Sequence, residues 1–154
     1  MANVGINELI YYTATFRYGV DEKRRVQIPA KWRSSEPDAE FTLILWPNGL
    51  QPDACLLVLP PAKMAALVDK IQAMPFADPT AQSLRRLIGG QSASATVDKA
   101  GRICLPDDMA KRVGIGKEAM MVGMLDRFAI WNPERYETVK AGDAVLLPEA
   151  FKLI

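Results

Sequence analysis

The chain has 154 residues, 49% of them hydrophobic, with 19 lysines and arginines, 18 aspartates and glutamates, and no histidine. Without an imidazole, Ser-His-Asp and Cys-His nucleophilic mechanisms, histidine-ligated zinc and ordinary general-base chemistry near neutral pH are excluded. No apolar run approaches the roughly 20 residues needed to cross a bilayer, and residues 1–10 lack the basic start and apolar stretch of a secretory signal, so a cytoplasmic protein with no membrane partner is expected.

Residues 11–18 form a β-rich stretch that leads into a charged turn. Val26 and Ile28 then alternate around Gln27 with the period of a strand buried on one face. Pro29 opens a short helical turn that Trp32 pins to the core. Residues 40–47 and 55–60 read as a strand pair, with Asn48 and Gly49 in the turn between them. Pro61 opens a helix whose Met64, Leu67, Val68, Ile71 and Met74 share one face, a core stripe or a subunit contact. Asp78 caps the next helix, Pro79 begins it, and Ala81, Leu84, Leu87 and Ile88 form its apolar face before Gly89 and Gly90.

The plan then repeats. Residues 93–97 read as a strand, 98–102 as a turn and 103–105 as a strand, followed by a helix from Pro106 to Val113 that Gly114 stops. Residues 119–125 and 128–131 are the next strands. Asn132 and Pro133 open a last helix, expected to stop at Gly142 and to leave 144–154 as an apolar tail.

A single offset relates the two turns. VDEKRRVQIP at residues 20–29 recurs as VDKAGRICLP at 97–106, so Asp21, Arg25, Ile28 and Pro29 fall on Asp98, Arg102, Leu105 and Pro106, 77 positions on. A fixed internal period marks a duplicated unit. Pro60 and Pro133 correspond at an offset of 73, which puts a net gain of four residues in the first copy near the 48–53 turn. The division that follows is a first module with its helix over 12–75, a bridging helix over 76–90, a second module with its helix over 91–142 and a tail over 143–154. A half of about 75 residues would hide only roughly 60% of its unfolded surface, so the modules are expected to share one core.

Charge is segregated although the net charge is only +1. Residues 17–33 carry six bases against Asp21 and Glu22, a balance of +4, while 36–53 carry four acids and no base. Such segregation makes an anion-attracting patch, or an ordinary solvated surface with scattered arginines. Cys55 and Cys104 stand alone inside apolar runs and read as small buried hydrophobes, not as a disulfide framework or a metal site. A phosphate-binding G-x-x-x-x-G-K-[ST] loop and a dinucleotide fingerprint are both missing, so no cofactor and no small-molecule substrate are expected.

The paired D-x-x-x-R turns, each followed by an apolar-x-apolar-Pro run, the LRRLIGG helix, and AMMVGMLDRFAIWNPERYE together resemble the bacterial MraZ family of transcriptional regulators over residues 12–141. The resemblance implies an α+β, β-rich fold: a tandem-repeat, swapped-hairpin (double-split) β-barrel of the AbrB/MazE type, pseudo-twofold within one chain, with short flanking helices. It implies closed homo-oligomeric rings, a nucleoid-associated protein, and double-stranded DNA as partner through short repeated boxes in the promoter of the division and cell-wall gene cluster. The family motif maps onto residues 21–25 and 98–102, and the resemblance favours the first copy as the DNA reader. The first turn departs from the family's D-x-K-G-R: Arg24 stands where Gly101 is retained in the second. A left-handed backbone there costs a non-glycine residue roughly 1–2 kcal/mol, so the first turn is expected to take a different shape.

A physical case for DNA stands beside the resemblance. Arginine is always charged and pairs bidentately with phosphate or with the O6/N7 edge of guanine. Arg25 and Arg102 are therefore the leading contacts, with Lys23, Arg24 and Lys99 on backbone phosphates. Asp21 and Asp98 are expected to orient each turn and its arginine, since a carboxylate facing phosphate would repel it. The alternatives are an AbrB-like or antitoxin-type regulator on the same barrel, and a ring scaffold that binds no nucleic acid. Catalysis by paired Asp21 and Asp98 is disfavoured, because adjacent arginines hold both ionised.

Overall fold

Strands from the first half of the chain pair with strands from the second. The computed structural model describes residues 9–36 and 38–154. In chain order the elements are β1 (Thr15–Gly19), β2 (Arg25–Gln27), a 3-10 turn (Ala30–Trp32), β3 (Glu40–Asn48), β4 (Gln51–Leu59), α1 (Pro61–Gln72), α2 (Pro79–Gly90), β5 (Ser92–Thr96), β6 (Arg102–Cys104), α3 (Asp107–Arg112), β7 (Glu118–Gly123), β8 (Phe128–Trp131) and α4 (Pro133–Phe151). The architecture is α+β and β-rich. Six antiparallel strands run in the order β1-β7-β8-β4-β3-β5, and β2 and β6 form a separate antiparallel ribbon.

Exchanging the halves maps these pairings onto one another. Thr15–Gly19 and Arg25–Gln27 shifted by 77 are Ser92–Thr96 and Arg102–Cys104. The ribbon pair Arg25 with Cys104 becomes Gln27 with Arg102, and the sheet pair Leu56 with Ile130 becomes Leu57 with Ala129. Thr15 pairs with Val122 as Ser92 pairs with Ile44, an offset of 78 on that strand, against 73 between Leu57 and Ile130. The length difference therefore arises in two places: one residue more in the second copy ahead of β7, and five more in the first across the β3–β4 turn. There the register shifts between Trp46 and Asn48 of β3, with the extra residues on the β4 side, since Trp46 pairs with Cys55 and Asn48 with Gln51.

Side-chain alternation explains why β4 is apolar on both faces from Ala54 to Leu59. Leu43, Leu45, Leu56 and Val58 face one core, shared with Val26, Ile28 and Trp32 of the first half and Ile103, Leu105, Met121 and Phe128 of the second. Ile44, Cys55, Leu57 and Leu59 face the other, closed by Ile71 of α1, Ile88 of α2 and Trp131. Central strands covered on both faces need no polar residues. Phe128 is the hub of the first core, with ring centroids of Trp32, Phe41 and Tyr12 at 4.8, 5.4 and 5.5 Å. The Trp32 indole N–H donates to the Thr13 carbonyl at 3.1 Å, which satisfies the only polar atom of a fully buried ring.

Four sequence expectations need correction. Of the α1 stripe, Ile71 is buried, Met64 and Leu67 pack partly, and Val68 is exposed. Leu87 of α2 is also exposed, because each helix lies over the sheet along a face narrower than its apolar arc. Cys104 is exposed rather than buried, since period-two alternation on β6 puts Ile103 inward and Cys104 outward with Arg102. Finally, α4 continues through Gly142 to Phe151, so 144–151 is helix and not an irregular tail. A glycine inside a helix costs only about 1 kcal/mol against alanine, and Gly142 lacks the positive φ that ends α3 at Gly114. Among the described residues no helix is long and apolar enough to cross a membrane.

Candidate nucleic-acid interface

Each turn is built around an aspartate whose short side chain reaches backbone amides two and four residues on, the geometry that favours Asp at such positions. Asp21 Oδ1 accepts from the N–H of Lys23 at 2.9 Å and of Arg25 at 2.8 Å, and Asp98 Oδ1 accepts from those of Ala100 and Arg102, both at 2.9 Å. The second carboxylate oxygen takes the arginine: Arg25 Nε donates to Asp21 Oδ2 at 2.7 Å and Arg102 Nε to Asp98 Oδ2 at 3.3 Å. Backbone bonds close both turns alike, with the Arg24 and Gly101 amides each 2.9 Å from the carbonyls of Asp21 and Asp98. The amide of Arg25 bonding to Asp21, and that of Arg102 bonding to Asp98, hold both carboxyls below the ordinary aspartate range against the opposing effect of desolvation.

The ribbon turns the motif arginines outward. Val26 and Ile103 are fully buried on its inner face, so Arg25, Gln27, Arg102 and Cys104 share the outer one. Arg25 and Arg102 are each about one-third exposed. Aspartate occupies Nε of Arg25, and its two terminal nitrogens have no partner among the described residues. Lys23 and Lys99 are exposed at the turn apices. Gln27 is the outward residue that motif spacing does not single out; only its alternation with Val26 and Ile28 marks it.

Arg24 corrects another expectation. It adopts the left-handed conformation at φ +61°, as Gly101 does at +83°, so the two turns share one shape. Its side chain lies back along the body: Nε donates to the Leu105 carbonyl at 3.1 Å and Nη1 is 3.7 Å from Asp107. The cationic run is therefore partly spent internally. Arg17 pairs with Glu118 at 2.7 Å, and Lys31 sits 5.6 Å from the Phe16 ring centroid. Among the described residues no cluster of three or more Cys, Asp or Glu side chains could hold a metal ion, and burial pushes the Cys55 thiol up to about 12.

The class of protein so defined is a β-rich α+β one whose two halves have matching strand pairings and that displays two aspartate-locked arginine turns on one ribbon. A family profile described as "MraZ protein, putative antitoxin-like" matches residues 90–146. The transcriptional regulator MraZ of Caulobacter vibrioides (strain NA1000 / CB15N) is 35% identical over 134 residues, covering 84% of this chain and 82% of its own. That of Herpetosiphon aurantiacus is 33% identical over 128 residues, covering 83% and 85%, and that of Alcanivorax borkumensis is 29% identical over 143 residues, covering 90% and 95%. The chain belongs to the MraZ family, whose relatives are named as transcriptional regulators and not as enzymes.

Proposed function

We propose that the chain is a sequence-specific, DNA-binding transcriptional regulator that grips duplex DNA with the β2–β6 ribbon. The observation that carries this reading is the pair Arg25 and Arg102, steered by aspartates on an outward ribbon face, with the terminal nitrogens of Arg25 left for a ligand. A two-stranded ribbon fits the major groove, where arginine pairs with guanine and glutamine with adenine. Arg25 and Arg102 are the base or phosphate contacts, Gln27 lies beside them, and Lys23 and Lys99 reach the backbone phosphates. Arg24 is folded against the body, with its guanidinium on the Leu105 carbonyl and near Asp107.

The strand pairings support a swapped-hairpin barrel built by the two repeats, and the family resemblance supports rings acting on short repeated boxes upstream of the division and cell-wall genes, in a cytoplasmic, nucleoid-associated setting. A few phosphate contacts per module give modest, salt-sensitive attachment, whereas joined sites raise avidity by roughly 100- to 10,000-fold where spacing matches. Exposed apolar side chains on α4 (Val145, Leu146, Leu147, Phe151) and near Leu125 offer surface for association between copies. The deciding measurement is binding to DNA from the gene's own upstream region across a salt series. Arg25→Ala is expected to weaken binding and flatten the salt slope, and an unchanged curve would strip Arg25 of this role.

A further inference from the structure

The two turns reach one shape by different means. Ile28 and Leu105 are equivalent residues of the repeat, each just before a proline. The Leu105 amide donates to the Arg24 carbonyl and the Ile28 amide to the Gly101 carbonyl, both at 2.9 Å, so the left-handed residue of each turn is tied to the strand of the other copy. An arginine then closes each junction. Arg24 Nε donates to the Leu105 carbonyl at 3.1 Å, and Arg33 Nε donates to the Ile28 carbonyl at 2.9 Å.

These arginines come from different places in the repeat. In the first copy the anchoring arginine occupies the left-handed position itself. In the second that position is Gly101, and the Arg33 guanidinium fills the space a Cβ there would need. The residue 77 positions beyond Arg33 is Ala110, buried on α3 and without a side-chain donor. Glycine plus Arg33 at one turn, and Arg24 plus Ala110 at the other, are thus two solutions to one packing problem.

We infer that Arg24 and Arg33 are positioning residues: each locks the left-handed step that aims the following motif arginine, Arg24 for Arg25 and Arg33 for Arg102, and neither contacts phosphate. This deepens the proposed DNA interface and rests on it only where DNA is the readout. Arg24→Gly keeps the backbone conformation accessible and Arg33→Ala removes a partly exposed side chain, so both variants are expected to fold.

Amide hydrogen exchange tests the anchoring with no ligand present. Arg33→Ala should speed exchange about tenfold or more at Ile28 and across residues 98–102 while leaving 21–25 unchanged, and Arg24→Gly should do the converse at Leu105 and 21–25. Exchange that rises equally at both turns, or at neither, overturns the assignment. A double-variant cycle adds a second check. Gly101→Arg alone should lower the melting midpoint by several degrees, and adding Arg33→Ala should recover part of that loss although Arg33→Ala is harmful alone; simple additivity overturns the exchange of roles.

The DNA arm uses a random-sequence duplex pool. Arg24→Gly should lower affinity with an unchanged salt slope, whereas Arg25→Ala should reduce the slope by about one. A slope lowered equally by Arg24→Gly makes Arg24 a phosphate ligand and overturns its assignment. Absence of any duplex binding by the wild-type chain would end the proposed function, while the exchange and double-variant results would still decide the anchoring.

Discussion

Arg102 reaches across the ribbon to the first turn, placing Nη1 3.6 Å from Asp21 Oδ2 while its Nε bonds to Asp98. Asp21 thus serves both motif arginines, and among the described residues Arg25 makes no matching pair with Asp98. The two copies share a fold and a turn shape but not the same charge network.

That asymmetry predicts unequal aspartate variants. Asp21→Ala should lower the urea midpoint and DNA affinity more than Asp98→Ala, because it releases two guanidinium groups as well as two backbone amides. Asp21→Asn should fall between wild type and Asp21→Ala in stability, since an amide oxygen still accepts from Lys23 and Arg25. Equal losses from the two alanine variants would show that the cross-ribbon pair contributes nothing.

The pH dependence has a definite sign. Asp21 and Asp98 have folded-state values below the ordinary 3.8, so each contributes stability that is fully present above that value and lost as pH falls through the lowered ones. Urea midpoints should decline on acidification below about pH 4, and less steeply in Asp21→Asn. With no histidine in the chain, no side chain of ordinary pKa titrates between about pH 5.5 and 8, and the midpoint should be nearly level there.

Truncating the aromatic hub should be severe. Phe128 is fully buried among Tyr12, Trp32 and Phe41, and Phe128→Ala is expected to cost about 3–5 kcal/mol in chemical denaturation. A loss below about 1 kcal/mol would mean that the core collapses into the space.

Two glycine replacements should act in opposite directions. Gly142 lies inside α4 with open space where a methyl group would stand, so Gly142→Ala should stabilise by roughly 0.5–1 kcal/mol. At Gly123 a methyl would run into the backbone of Tyr12 and Thr13, beside the Tyr12–Leu125 bridge, so Gly123→Ala should destabilise by about 1–3 kcal/mol. Thermal melts of the two variants give the comparison directly.

Gln27 should carry base preference rather than raw affinity. Gln27→Ala is expected to keep the salt slope of wild type and to flatten selection at a single base pair in a bound-fraction sequencing assay, by roughly 5- to 100-fold. Uniform weakening on all sequences would assign the residue to the fold alone.

Features set by neighbouring residues could be read from the chain without coordinates. The Asp21 and Asp98 turns follow from bonds spanning two and four positions, the starts of α2 and α4 follow from Asp78 and Asn132 capping the next amides, and the duplication is written in the spacing of Pro29 and Pro106. What folding alone settled depends on partners far along the chain. Cys104 faces outward because β6 pairs with β2, and α4 runs past Gly142 because no left-handed step interrupts it there. Arg24 holds a glycine's conformation while bonded to a carbonyl 81 residues away, and Arg33 supplies the matching bond beside Gly101. Local rules weigh a residue against its sequence neighbours; whether the cost of an unfavourable backbone is offset, and which face of a strand meets solvent, is decided by groups that only the closed fold brings within reach.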